Sequence, residues 1–171
     1  KLAHQVGVTT IADASFGTIP GAYKAYQAAA ADPQYPVRTT LYPMIDLIQS
    51  KLVQDRGGFD YLKTLMQSNN DMLSIGAIKF VTDGSIQGYT ANLGWPYYYK
   101  TGKNGVANMT DDDIELWVGK VHAAGLQLMI HTNGDRAAEW AIRAIEKAQE
   151  GKARIDHRHH LDHNQMVNDN Q

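Results

Sequence analysis

Apolar segments of two kinds alternate along the chain. One kind is short, rich in β-branched residues and bounded by Gly, Pro, Asn or Asp, which is typical of buried strands. The other kind repeats apolar residues with helical spacing. The predicted strands are Val6–Asp13, Val37–Tyr42, Ser74–Val81, Leu126–His131 and Arg158–Asp162. The predicted helices are Ala22–Ala31, Ile45–Gln54, Phe59–Met66, a segment that follows Thr110, and Ala137–Ala148.

The segment after Thr110 has the clearest helical signals. Thr110 is a favourable N-cap residue, and three aspartates follow it in the first turn, where the helix dipole favours negative charge. Apolar residues then recur at the spacing of one helix face, and a glycine marks the end. These residues are Ile114, Trp117, Val118, Val121 and Gly125.

The alternation of strands and helices predicts an α/β fold built on a parallel sheet. A strand that is apolar on both faces, such as the one entering His131, belongs in a sheet covered on both sides. A repeat of roughly 30 residues per strand–helix unit is compatible with a (β/α)8 barrel or a doubly wound sheet. Neither GxGxxG nor GxxxxGK[ST] occurs, so the usual nucleotide-binding variants lack support.

Composition narrows the function classes. The 171 residues suit one domain, and 43% hydrophobic with 20% charged residues suits a globular chain. A net charge of −2 gives no basic surface for nucleic acid or anionic membranes. No apolar run approaches the roughly 20 residues that span a bilayer. The absence of cysteine excludes disulfides and thiolate metal sites, but it leaves the compartment open, with a slight preference for the cytoplasm.

Three candidate metal ligands lie at or near strand ends: Lys79, His131 and His163. In a barrel, the carboxyl ends of successive strands converge on one mouth, and two imidazoles with a third group are enough to start a zinc site. A lysine ammonium has no lone pair, so Lys79 joins such a site only as a carbamate. The alternatives are a core histidine at His131 and a Lys79 that reaches solvent or pairs with Asp83.

The segment His157–His163 contains four histidines in seven residues. Strand alternation would place His157, His159 and His163 on one face. His163 is the preferred ligand candidate because it lies at the predicted strand end, whereas His159 and His160 are expected to be hydrogen-bonding or surface residues. Asp135 either orients a metal ligand or caps its helix.

Residues 86–109 form the longest stretch without periodicity and contain the aromatic sequence Trp95-Pro-Tyr-Tyr-Tyr99. Long loops in compact domains are usually functional or disordered. The aromatic cluster favours an ordered loop on the substrate side, and a packed lid without a ligand role is almost as good an interpretation. We therefore group Trp95 and Tyr97 with Asp83 and Asp135 as residues that support the metal ligands or face the substrate.

Four motifs in order resemble the amidohydrolase superfamily. They look like its family 3, the YtcJ-like branch that includes N-substituted formamide deformylases. Each motif is weak alone, but the ordered set covers nearly the whole chain. The motifs are GVTTIADA at 7–14, IKFVTDGS at 78–85 with Gly88 and Thr90-Ala91, the segment 125–137 around HTNGDRA, and RHHLDHNQ at 158–165.

The resemblance implies a metal-dependent (β/α)8 barrel beside a small β-sandwich. It implies that Lys79 matches the carboxylated, bridging lysine and that His131 and His163 match metal-binding histidines, with one or two divalent ions, zinc by preference. The family's His-x-His pair is expected before Lys1 and its catalytic Asp beyond Gln171. We therefore expect residues 1–171 to form about five strands of an incomplete barrel domain, inactive on its own.

The sequence thus predicts part of a hydrolase that cleaves C–N bonds of small, non-peptide amides with a metal-activated water. Two alternatives remain. The same barrel can support an ester hydrolase or an isomerase, because fold does not fix function. A non-catalytic protein could instead bind a ligand with the Trp95–Tyr99 loop and metal with its histidines. Neither a nucleic acid nor a membrane is an expected partner, and homo-oligomerisation is left open.

Overall fold

The computed structural model describes residues 2–99 and 102–171, so Lys100 and Thr101 of the predicted loop lie outside the described residues. The chain has an α/β fold. Its helices are α1 Leu2–Gln5, α2 Ala22–Ala31, α3 Ile45–Gln49, α4 Lys51–Gln54, α5 Phe59–Met66, α6 Asp111–Ala123 and α7 Asp135–Gly151. Its strands are β1 Thr10–Phe16, β2 Arg38–Pro43, β3 Leu73–Ile75, β4 Ile78–Val81, β5 Leu128–Thr132 and β6 His160–His163.

The chain divides into two compact units, Lys1–Lys79 and Phe80–Gln171. In the first unit, β1, β2 and β3 form a parallel sheet in that order. Phe16, Leu41 and Leu73 are buried on this sheet, and Tyr23 and Tyr26 of α2 pack against them. Burial of these apolar side chains is what holds α2 on the sheet.

The predicted strand Ser74–Val81 is in fact two strands, β3 and β4. The prediction of about five strands was therefore one short, since the described residues contain six. Gly76 lies between them, where a β-carbon would come 2.9 Å from the ring of Tyr42 and 3.0 Å from Thr40. The Gly76 amide still donates to the carbonyl of Leu41 at 2.8 Å, and β3 ends its pairing with β2 there. Residues 74–81 are mostly apolar throughout, so the sequence alone does not show where the strand is interrupted.

In the second unit, β5 pairs in parallel with β6 in a sheet of order β4-β5-β6, and the last two residues of β4 begin this unit. Leu128 and Ile130 of β5 are fully buried. Helices α6 and α7 pack on each other and on β5. Their apolar faces bury Ile114, Val118, Val121, Ala137, Ala138 and Ala141.

The helices follow local sequence signals closely. The predicted helices Ala22–Ala31 and Phe59–Met66 are confirmed, and the Thr110 side chain caps α6 by accepting from the amide of Asp113 at 3.1 Å. The predicted helix Ile45–Gln54 is broken at Ser50, whose backbone is extended. Within the described ranges, none of the helices combines the length and the apolar composition that a bilayer crossing requires.

Candidate metal site at the carboxyl ends of two strands

Two of the three predicted ligands come together in the second unit. His131 is the penultimate residue of β5, and His163 is the last residue of β6. Their ring centroids lie 4.6 Å apart with the ring planes inclined by 73°. Because β5 and β6 run in parallel, both imidazoles reach the carboxyl edge of this sheet.

The meeting of the two rings depends on the backbone at His163. The strand register pairs His131 with Asp162 and Thr132 with His163, so regular alternation would place the two imidazoles on opposite faces. His163 has a φ of 73° and Asn164 a φ of 49°, both in the left-handed region. This conformation ends the alternation and brings the His163 ring back towards His131. Left-handed non-glycine residues cost about 1–2 kcal/mol and cluster at functional sites.

Hydrogen bonds fix this turn. The Asn164 amide donates to the carbonyl of Thr132 at 2.9 Å, and the Thr132 hydroxyl donates to Oδ1 of Asn164 at 2.7 Å. Thr132 is fully buried. The end of β6 is thus tied to the end of β5 directly beside both histidines.

The hydrogen bonds of His131 identify its tautomer. Nε2 lies 2.8 Å from the carbonyl oxygen of Gly84 and 3.3 Å from Oδ1 of Asp83. Both oxygens are acceptors, so Nε2 carries the hydrogen and the ring's lone pair is on Nδ1. A ring that donates through one nitrogen and offers the other to a cation is the usual arrangement of a metal-binding histidine.

Asp83 is fully buried, and its carboxylate collects backbone donors. Oδ2 accepts from the amides of Asn92 at 2.9 Å and Gly134 at 2.8 Å, and Oδ1 accepts from the amide of Asn133 at 3.0 Å. Asp83 therefore joins the segment after β4, the long loop and the turn after β5. The alternative that Lys79 pairs with Asp83 stays a prediction.

Two asparagines beside the site keep unpartnered polar atoms. Asn92 Nδ2 and Asn133 Oδ1 are buried and have no hydrogen-bond partner among the described residues. Asn133 Nδ2 donates to the Gly84 carbonyl at 2.8 Å, the same oxygen that His131 uses. Sequence reasoning did not single out these asparagines, because their importance arises from the close approach of two turns: a β-carbon at Gly134 would clash with the carbonyl of Asn92.

Lys79 belongs to the first unit and is only 4% exposed, so its head does not reach solvent. It lies in β4 and bridges in parallel to Met44. A buried lysine needs a charge partner or a neutral or modified head group. The proposal that Lys79 carries a carbamate, and its convergence with the two histidines, stay predictions.

The donors of the second unit fit part of a metal site. His131 and His163 supply two adjacent imidazoles, which are good ligands for zinc and other divalent transition metals. In the part of the chain that the structure describes, no group of three or more His, Asp or Glu side chains could by itself hold a metal ion. These residues therefore fit as two ligands of a centre that needs further donors.

The two aromatic candidates of the long loop differ in their exposure. Tyr97 is 7% exposed, donates its hydroxyl to the carbonyl of Ala91 at 3.0 Å, and packs with Ala91 and Leu93. Trp95 is 50% exposed. Tyr97 is thus a core residue of the loop, and Trp95 is the one with a ring face available to a ligand.

Asp135 does not cap α7, because the N-cap residue is Gly134 and Asp135 is the first helical residue. Its Oδ1 accepts from the amide of Gly94 at 2.9 Å. A β-carbon at Gly94 would lie 2.7 Å from Oδ2 of the same carboxylate. Asp135 therefore anchors the loop next to Trp95.

The expectation that His157, His159 and His163 share one strand face was wrong. β6 begins only at His160, so His157 and His159 precede it. Nε2 of His159 lies 2.8 Å from Nδ1 of His122 on α6, a buried residue that sequence reasoning missed. Its signal was present, because His122 continues the apolar stripe of Val118. His159 is a hydrogen-bonding residue, as predicted.

Comparisons with known proteins identify the family of the chain. A model of the family described as "Amidohydrolase family" matches residues 1–171. "Putative amidohydrolase YtcJ" of Bacillus subtilis is 30% identical over 141 residues, which are 82% of this chain and 25% of that protein. The chain thus spans about a quarter of this relative's length.

Two solved structures, each titled an uncharacterized metal-dependent hydrolase, have the same fold. The protein from Pyrococcus horikoshii OT3 matches with a TM-score of 0.63 and 20% identity over 85% of this chain and 28% of that one. The protein from Pyrococcus furiosus matches with a TM-score of 0.60 and 23% identity over 82% of this chain and 27% of that one. With the family model matching along its whole length, the chain belongs to the amidohydrolase family.

Proposed function

We propose that the whole protein is a metal-dependent hydrolase that cleaves C–N bonds of small, non-peptide amides. The observation that carries the proposal is the convergence of His131 and His163 at the carboxyl edge of a parallel sheet, in a chain of the amidohydrolase family. Imidazoles gathered at this edge are typical of catalytic centres in α/β enzymes.

The strands are proposed to be consecutive strands of a (β/α)8 barrel. The support is their parallel pairing within each unit, their alternation with helices, and the family itself. A barrel would place the carboxyl ends of all its strands around one mouth. In that arrangement Lys79 joins the two histidines as the third ligand.

Each ligand has a distinct task in this proposal. His131 would bind a divalent ion, zinc by preference, through Nδ1, because its hydrogen is held on Nε2 by Gly84 and Asp83. His163 would bind beside it, and a carboxylated Lys79 would supply anionic oxygens. A bound divalent ion lowers the pKa of a coordinated water to about 7 and polarises a carbonyl oxygen.

The loop residues would act on the substrate rather than on the metal. Trp95 presents an exposed ring at a position held by the bond from the Gly94 amide to Asp135. The exposed face of an aromatic ring can pack against the hydrocarbon part of a small amide. The buried Tyr97 holds the loop in shape through Ala91.

The test is metal content and turnover of the whole protein. Purified protein should contain a stoichiometric divalent metal, lose turnover of N-formyl and N-acyl amines on chelation, and regain it on adding zinc. His131→Ala and His163→Asn should lose metal and turnover together. Asn is chosen at 163 because it tolerates the left-handed backbone observed there. Lys79→Arg keeps a positive charge but cannot form a carbamate, so it should also lose metal and turnover.

His160→Gln is the matched control, because His160 lies on the same strand near Asp162 and is not a proposed ligand. It should retain metal and rate. Turnover of esters but not amides would replace the proposed reaction by the ester alternative. Metal-free protein that hydrolyses amides at the full rate, or full metal content in the His131 variant, would refute the proposal.

A further inference from the structure

Several N–H groups from different segments surround the carboxylate of Asp83. Four N–H groups face its buried carboxylate: the amides of Asn92, Asn133 and Gly134, and Nε2–H of His131. The three backbone amides donate to this carboxylate, whereas Nε2–H of His131 donates to the Gly84 carbonyl at 2.8 Å and lies 3.3 Å from Oδ1. An ionised carboxylate accepts from all three amides and also places negative charge beside Nε2–H of His131.

The two carboxylate oxygens have different duties. Oδ2 accepts from two backbone amides, at 2.9 and 2.8 Å. Oδ1 accepts from one backbone amide at 3.0 Å and faces Nε2 of His131 at 3.3 Å. Oδ2 therefore holds the loop and the turn together, and Oδ1 is the atom that acts on His131.

We propose that Asp83 is a positioning residue that keeps His131 in the tautomer with its hydrogen on Nε2. The Gly84 carbonyl shares this hydrogen at 2.8 Å and fixes the ring orientation. Asp83 adds a negative charge beside it, so moving the hydrogen to Nδ1 would set a lone pair against a carboxylate and a carbonyl. The consequence for metal binding, that Nδ1 is kept as the ligand atom, rests on the proposed function; the tautomer does not.

Asp83→Asn tests this with a near-isosteric change. Its amide oxygen should occupy the Oδ2 position, because two backbone N–H groups demand an acceptor there. Its NH2 group then takes the Oδ1 position and points a donor at Nε2 of His131. We expect the neutral His131 ring to shift measurably towards the tautomer with hydrogen on Nδ1, and zinc affinity to fall by about 10- to 100-fold, as for other residues that orient a metal-binding histidine.

The readout is the ¹⁵N resonance pattern of the His131 ring in metal-free protein at pH 8, above the ordinary imidazole pKa of about 6.5. Wild-type protein should show hydrogen on Nε2, and this measurement needs no variant to fold. Asp135→Asn is the matched control. Its carboxylate also accepts a backbone amide of the same loop, from Gly94 at 2.9 Å, so it should lower stability without changing the His131 tautomer.

The outcomes separate this inference from the proposed function. A tautomer shift in Asp83→Asn, absent in Asp135→Asn, supports the positioning role even if no amide is hydrolysed. Hydrogen on Nδ1 in the wild-type ring, or an Nε2–H tautomer that Asp83→Asn leaves unchanged, would overturn the role even if the enzyme proves active. A shift of equal size in both variants would also overturn it, since general loosening of the loop would then be the cause.

Discussion

Acidification should destabilise the second unit through the pair of His122 and His159, neither of which is a candidate metal ligand. Nε2 of His122 donates to the carbonyl of Lys152 at 2.6 Å, which leaves Nδ1 of His122 as an acceptor. Nε2 of His159 fills it at 2.8 Å, and Nδ1 of His159 accepts from the amide of Leu128 at 3.0 Å. All four ring nitrogens are thus used by neutral rings, and an added proton has no acceptor.

Burial is the largest cause that lowers the pKa of His159, to about 3, and electrostatic interactions with neighbouring side chains lower it further. These neighbours are His157, His122, Arg154 and His160. The folded chain therefore stays neutral at His159 until the pH approaches 3, whereas the unfolded chain binds a proton there below about 6.5. Because the unfolded state binds more protons in this window, the free energy of unfolding falls as the pH falls from 6.5 towards 3.

The expected size follows from the same two values. With a folded pKa of about 3 and an unfolded pKa of about 6.5, proton linkage gives about 2 kcal/mol lost at pH 5 relative to neutral pH. His159 is partly exposed, and solvent screening reduces the expectation to about 1 kcal/mol. That is still a factor of about five in the folded-to-unfolded ratio.

The assay is urea unfolding of the wild type and His159→Gln at pH 7.5, 6 and 5. Gln keeps a donor and an acceptor but does not titrate, so the variant should lose about 1 kcal/mol less than the wild type between pH 7.5 and 5. Val118→Ala, a truncation of a buried side chain on the same helix as His122, is the control for lower stability alone. Equal pH dependence in the wild type and His159→Gln would refute the argument.

Three further changes test local parts of the structure. Thr110→Ala removes the cap of α6 and should lower the free energy of unfolding, measured in urea, by about 1 kcal/mol. An unchanged free energy of unfolding would show that the cap does not stabilise the helix. Gly134→Ala sets a β-carbon against the carbonyl of Asn92, so it should lower the Tm by more than Thr110→Ala does; an equal or smaller shift would contradict the close approach. Tyr97→Phe deletes the hydrogen bond to the Ala91 carbonyl and should lower the free energy of unfolding in urea by about 1 kcal/mol. An unchanged value would contradict this hydrogen bond.

The helices were predictable because their signals are local. The cap of α6 by Thr110, the aspartates that follow it and the apolar stripe are all contained in one segment, and α2 and α5 have the predicted bounds. The strands depend on partners far away in the sequence. Gly76, at the break between β3 and β4, lies against the side chains of Thr40 and Tyr42, which are distant in sequence, so the residues next to Gly76 do not reveal this contact.

The candidate site was predictable in its residue types and strand positions but not in its geometry. Histidines at the ends of two successive strands were expected to meet, and the rings of His131 and His163 do. The two rings meet because the backbone of His163 is left-handed. That conformation is usually predicted from a glycine, and the residue here is a histidine. The acceptors that fix the His131 tautomer, Gly84 and Asp83, come from another segment brought near by the fold.

The histidine-rich segment shows why residue type alone cannot separate a ligand from a structural histidine. The segment has four histidines in seven residues, yet His159 precedes β6 and His163 is the last residue of that strand. The useful distinction is what the ring nitrogens already do. Both nitrogens of His159 are used in bonds to His122 and Leu128, so metal binding there would have to break one of them. His131 donates through Nε2 to the Gly84 carbonyl, so its lone pair is on Nδ1.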